Sequence, residues 1–144
     1  MKKLFVLLLI VGGVSSAFIT KETKETVAGA GGIEFKTMTL EEAKKEANAT
    51  GKIIFIDCYT EWCGPCKRMA ATAFVDESVG KLFNSKFINL KIEMEKNADG
   101  PELARTYSVK AYPTLIFIDG NGKLTKSVVG MQTAEQLLAV GKSI

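Results

Sequence analysis

The chain predicts an α/β fold in which a mixed central sheet is flanked by helices on both faces. Three observations carry this expectation. Helix-like and strand-like segments alternate up to residue 112, and strands joined through helices run parallel. Ile53-Ile54-Phe55-Ile56 is an unbroken apolar run of β-branched and aromatic residues, the pattern of a central strand buried on both faces. Asp119-Gly120-Asn121-Gly122, set between apolar segments, is a hairpin turn that adds antiparallel strands at one side.

Each element follows from local chemistry. Ile33 to Lys36 reads as a short edge strand. Thr39 with Glu42 three residues on forms a capping box, so a helix is expected over Leu40 to Asn48, stopped by Gly51. The apolar run from Ile53 comes next, and a helix then opens at Cys63 and runs to about Thr72. Asp76 caps a further helix to Phe83. Phe87 to Glu93 alternates apolar and polar residues, which is strand periodicity. Asp99 and Pro101 start a short helix through Tyr107. Thr114 to Ile118 and Lys123 to Val129 are the arms of the hairpin. Thr133 with Gln136 caps the last helix, Ala134 to about Val140. Tyr107, Phe117 and most other aromatics are expected in the core.

Ahead of these elements the chain reads as processing signal and tether. Met1-Lys2-Lys3 is a short positive start, Leu4 to Val11 is unbroken apolar, and Ser15-Ser16-Ala17 supplies small residues. Residues 1–17 therefore read as a secretory signal peptide cleaved after Ala17. An uncleaved membrane anchor is the rival, but the apolar stretch is shorter than the roughly 20 residues a spanning helix needs. Phe18 to Gly32 is polar and ends in Ala28-Gly29-Ala30-Gly31-Gly32, the composition of a flexible linker. A single domain is left over residues 33–144. Export, to a periplasm-like compartment, would place the chain's thiols in oxidising surroundings.

The chemistry concentrates in Trp62-Cys63-Gly64-Pro65-Cys66-Lys67. Two residues between cysteines is one helical turn, so both sulfurs lie close enough to pair if Cys63 opens a helix. The unpaired N–H groups and positive dipole of that helix end favour a thiolate. A thiolate able to attack a foreign disulfide, with a second thiol to resolve the mixed intermediate, is a redox catalyst. Two other readings of the pair fit the sequence less well. A structural zinc site needs four ligands, whereas the chain has no histidine and one further cysteine, Cys58. A purely structural disulfide closing so short a loop removes little entropy from the unfolded chain.

Composition removes other classes. At 47% hydrophobic and 24% charged, the chain is ordinary globular protein. Without Lys2 and Lys3, 17 basic residues stand against 16 acidic ones, and no basic patch interleaved with aromatics supports nucleic-acid binding. The absence of histidine excludes Cys-His and Ser-His nucleophile pairs and every histidine-liganded metal site.

Asp57 through Lys67, Ala111-Tyr112-Pro113-Thr114, the Asp119–Gly122 turn and Gly130 together resemble the thioredoxin superfamily, over about residues 33 to 144. The leader, the linker and the longer Met94-to-Ser108 connection are similar to exported thioredoxin-like proteins of bacteria. The resemblance implies that Cys63 is the exposed nucleophile and Cys66 the buried resolving thiol, the two forming the redox-active disulfide. It makes Asp57 a buried carboxylate of raised pKa that takes the Cys66 proton, with Lys91 facing it. Tyr112-Pro113 resembles the family's cis-proline step, beside which an extended substrate pairs as an added strand. Trp62, Gly64, Pro65 and Gly130 complete the implied substrate groove. At Gly130 a side chain would obstruct approach, and Tyr112 is bulkier than the residue often found before this proline. Cys58, on the face opposite Asp57, reads as a small buried hydrophobe.

The expected function is thiol–disulfide exchange on disulfide-bearing proteins, by a monomer with no cofactor or metal, since the cysteines carry the electrons. Gly-Pro between the cysteines resembles the reducing members, so a reductase recharged by a membrane thiol donor is favoured. The alternatives are a disulfide oxidase or isomerase, a non-catalytic peptide-binding module of the same fold, and a metal-binding thiol protein.

Overall fold

A computed structural model describes residues 31–144. The leader and nearly all of the linker lie outside the described residues. In chain order the elements are α1 (Leu40–Thr50), β1 (Ile53–Tyr59), α2 (Gly64–Ala71), a 3-10 turn (Ala73–Val75), α3 (Glu77–Lys86), β2 (Phe87–Glu93), α4 (Gly100–Thr106), β3 (Thr114–Ile118), β4 (Leu124–Val129) and α5 (Ala134–Lys142). The sheet order is β2-β1-β3-β4. β1 runs parallel to β2 and antiparallel to β3, and β4 closes the hairpin, so the mixed sheet is as expected.

Caps set the helix boundaries. Both bonds of the capping box form at Thr39–Glu42 and again at Thr133–Gln136, satisfying backbone donors that the first turn leaves free. Gly51 ends α1 at φ 71°, a left-handed conformation that glycine adopts without a Cβ penalty. Asp76 Oδ1 accepts from the Val79 N–H and opens α3, which runs to Lys86 rather than stopping at Phe83.

The core is split by the sheet. On one face Leu40, Ala43 and Ala47 of α1 and Leu103 of α4 pack on Ile54, Ile56 and Cys58. On the other, Met69 of α2, Val79 and Phe83 of α3 and Leu137 of α5 pack on Phe55, Phe87, Leu115 and Phe117. This second face is aromatic, with Phe55 meeting Phe83 edge-on at 4.9 Å and stacked on Phe117 at 5.0 Å. Helices therefore cover both faces.

Two local expectations are corrected. Residues 33–36 form no strand. Lys36 N–H bonds Asn89 O, but the other partners come from outside a ladder: Ile33 N–H bonds Phe74 O and Glu34 N–H bonds Asn84 Oδ1. Asn89 Nδ2 also donates to Asn84 Oδ1 and to Glu34 O. The two asparagines take over bonds a strand would have made. The strap also lies along β2: Asn89 is buried, and the Lys91 ammonium stands over the Phe35 ring. Gly31 and Gly32, at the end of the segment read as tether, lie directly on α3. A Cβ on Gly80 would stand 2.1 Å from Gly31 O.

Candidate active site

Four chain segments meet at one end of the sheet because of its topology. β1 and β2 end there, β3 begins there with Pro113 just before it, and β4 ends there with Gly130 just after it. The turn after β1 carries Trp62 and Cys63 to this end, where α2 starts.

Cys63 is the N-cap of α2, in extended backbone (φ −73°, ψ 107°), with Pro65 among the first helical residues. Its N–H reaches back to Thr60 O at 3.2 Å, and its carbonyl accepts from Lys67 N–H. Cys63 and Cys66 are joined in a disulfide with Cα atoms 5.3 Å apart, and Cys63 Sγ accepts from the Cys66 N–H at 3.2 Å. The expectation of an exposed Cys63 is corrected here. Cys63 is 3% and Cys66 2% exposed, because the capping side chain folds back over the first helical turn and its sulfur is tied there.

β1 and β2 place Asp57 opposite Lys91 in register. Lys91 Nζ donates to Asp57 Oδ2 at 2.6 Å and lies over the Tyr59 ring, 4.1 Å from its centroid. Asp57 is 1% exposed. Burial pushes its carboxyl above the ordinary range, and the charge and hydrogen bond of Lys91 pull it back only in part. A cavity of about 390 Å³ opens beside the pair, lined by Tyr59, Thr60, Glu61, Cys66, Lys67, Ala70 and Lys91. Cys66 and the cation holding Asp57 thus share one cavity wall. Cys58 points the other way, fully buried in the aliphatic core. Burial, and then the neighbouring Asp57 charge, push its thiol far up, so it stays protonated.

Over the disulfide end, the Tyr112–Pro113 peptide is cis. The Tyr112 ring meets Trp62 edge-on at 5.9 Å, and Trp62 is 66% exposed. Gly130 N–H donates to Pro113 O at 2.8 Å. Gly130 sits at φ 93°, and a Cβ there would meet open space. Its left-handed backbone conformation by itself calls for glycine. Val129 and Met131 beside it are exposed, which gives this end an apolar rim. Gly64 has open space around its Cβ position as well.

Sequence reasoning missed the acidic residues here. Trp62 Nε1 donates to Glu95 Oε2 at 3.1 Å, and Glu93 accepts three backbone N–H groups. The available signal was a glutamate two positions beyond Lys91, at the end of a strand joined to a central one. Among the described residues no group of three or more acidic or thiol side chains could hold a metal ion, and no helix is long and apolar enough to cross a membrane.

A family model described as a thioredoxin-like domain matches residues 40–144, and the chain belongs to that family. Its Cys63–Cys66 pair is a disulfide-capable Cys-x-x-Cys of the thioredoxin and DsbD type. The thiol:disulfide interchange protein DsbD of Colwellia psychrerythraea is 31% identical over 153 residues, taking in 100% of this chain but 25% of its own length. The chain spans only about a quarter of that relative. A thioredoxin of Alicyclobacillus acidocaldarius is 34% identical over 104 residues, covering 72% of this chain and 92% of its own. A solution structure from Bacteroides thetaiotaomicron, of a protein provisionally named a disulphide-isomerase, is 46% identical with a TM-score of 0.68. That match covers 78% of this chain and 93% of the other.

Proposed function

We propose that the chain catalyses thiol–disulfide exchange on protein disulfides, working as a reductase outside the cytoplasm. The observation that carries this is the Cys63–Cys66 disulfide at the N-terminus of α2, with the buried Asp57–Lys91 pair beside it. In the reduced state the Cys63 thiolate attacks one sulfur of a substrate disulfide, and the other leaves as a thiolate that takes up a proton. Cys66 then gives its proton to the Asp57 carboxylate and attacks Cys63 Sγ, releasing the second substrate thiolate. Two electrons pass to the substrate and the pair is left oxidised. Lys91 favours the ionised Asp57 carboxylate against the effect of burial, and the cavity that Lys91 and Cys66 line lies beside the pair.

Trp62, Tyr112, Pro113, Gly130, Gly64 and Pro65 form the surface on which an extended substrate lies. Gly-Pro between the cysteines supports the reducing direction. The leader-like residues 1–17 support export to a periplasm-like compartment. There a reductase needs a donor, and similarity to part of a thiol:disulfide interchange protein supports a membrane thiol in that role. The 46% identical relative named as an isomerase favours one second reading, disulfide shuffling. The two separate in a paired assay. Both reduce insulin when given a thiol donor, but only an isomerase also reactivates scrambled ribonuclease beyond background.

A further inference from the structure

Glu93 is the last residue of β2 and stands opposite Tyr59. The residue is only 9% exposed, yet it carries a carboxylate. Oε1 accepts from Glu61 N–H at 3.2 Å, while Oε2 accepts from Glu95 N–H at 2.8 Å and Lys96 N–H at 2.6 Å. Burial pushes this carboxyl up, but the three N–H groups outweigh it and hold it below its ordinary range. It is ionised at neutral pH.

The two oxygens serve different segments. Oε2 shapes the turn after β2. Oε1 reaches across to the turn before α2, two residues ahead of Cys63. That turn is joined to the same partner segment by Met94 N–H to Tyr59 O, by Trp62 Nε1 to Glu95, and by the exposed Lys96–Glu61 ion pair. Of the side-chain links, Glu93's is partly buried while the other two are exposed, and sheltered charge-assisted bonds resist water better than exposed ones. From Glu61 the chain turns through the Cys63 N–H to Thr60 O bond and delivers the Cys63 sulfur to the Cys66 N–H.

We propose that Glu93 is a positioning residue for the redox pair, its carboxylate tying the Trp62–Cys63 turn to the β2–α4 connection and so holding the Cys63 sulfur at the helix N-terminus. The proposal rests on the reading of Cys63–Cys66 as the reacting pair. It makes a signed prediction. Held at the helix end, a Cys63 thiolate is stabilised by the N–H groups and dipole; released from it, the thiolate is less favoured and its pKa rises. A glutamate acting only through its negative charge would do the opposite, because removing that charge lowers a nearby thiol pKa.

Glu93→Gln separates the two. The amide oxygen can keep the Glu95 and Lys96 bonds, which leaves its NH2 facing the Glu61 N–H, so the cross-link is lost while the turn after β2 stays bonded. In the reduced full chain, thiolate absorbance against pH should show a raised Cys63 pKa. The second-order rate with insulin should fall roughly fivefold or more. Lys96→Ala, which removes only the exposed pair with Glu61, should stay within about twofold on both readouts. An unchanged or lowered Cys63 pKa in Glu93→Gln, with wild-type rates, overturns the proposal even if the melting temperature drops. If wild-type protein fails to reduce insulin, the functional reading falls instead, and the thiolate titration still decides the role of Glu93.

Discussion

Asp57 and Cys58 are neighbours on one strand, almost equally buried at 1% and 0% exposure, and burial raises both pKa values. The two differ in what surrounds them. The difference lies in what each face of β1 offers. On the Cys58 side α1 and α4 pack aliphatic side chains on the strand, and no charged side chain belongs to that cluster. On the Asp57 side, Lys91 supplies a cation at 2.6 Å, and Lys91 lines a cavity together with Cys66. Burial alone raises a pKa. Burial beside a cation, next to the cavity that Cys66 lines, is what would suit Asp57 to the base's role proposed above.

The largest effects should come from the pair above this strand. Cys63→Ser should abolish insulin reduction, because the attacking sulfur is gone. Cys66→Ser should leave Cys63 able to attack but unable to release, so covalent adducts accumulate that a reducing gel dissolves. Normal turnover in the Cys66 variant, with no adducts, would reverse these assignments.

Asp57→Asn comes next. It removes the base, so decay of the mixed disulfide should slow roughly tenfold or more near neutral pH. The gap should narrow as pH rises and Cys66 ionises unaided, and stopped-flow decay across pH reads this directly. Stability should move the other way. A carboxyl with a raised folded pKa binds its proton more tightly folded than unfolded. Its contribution is full below the ordinary value of 3.8 and is lost as pH rises through the folded value. The amide does not titrate, so urea midpoints of the variant should gain on wild type over that window. Lys91→Met should sharpen the same contrast. Without the cation the Asp57 pKa rises further, and the pH profile of the decay step should shift toward higher pH.

Cys58→Ala should have the smallest consequence. Activity should match wild type, while the shrunken side chain costs about 1 kcal/mol of stability in urea melts. Lost activity with the fold intact would mean that the two faces are not separate after all.

Much of this contrast was legible in the sequence. Strand alternation places Asp57 and Cys58 on opposite faces, the capping signals locate α1, α3 and α5, and Cys-Gly-Pro-Cys marks the helix start. What escaped depends on side chains replacing backbone partners. Residues 33–36 carry strand-like composition, but Asn84 and Asn89 occupy their hydrogen bonds. The partners of two polar residues of β2 carry no signal in the sequence: Asn89 finds its own in the strap, and Glu93 in three N–H groups. Periodicity reports polarity and not where a polar group is satisfied. The burial of Cys63 escaped as well, since it follows from the cap geometry of one side chain.

The most direct test is equilibration of the protein with glutathione buffers of graded potential, followed by thiol labelling and mass analysis. The account predicts a single two-electron transition confined to Cys63 and Cys66. Its midpoint should lie nearer the roughly −270 mV of thioredoxin than the roughly −120 mV of the oxidant DsbA, with Cys58 unlabelled until the chain is unfolded. A pair that never closes, a disulfide involving Cys58, or a midpoint at the oxidising end would contradict it.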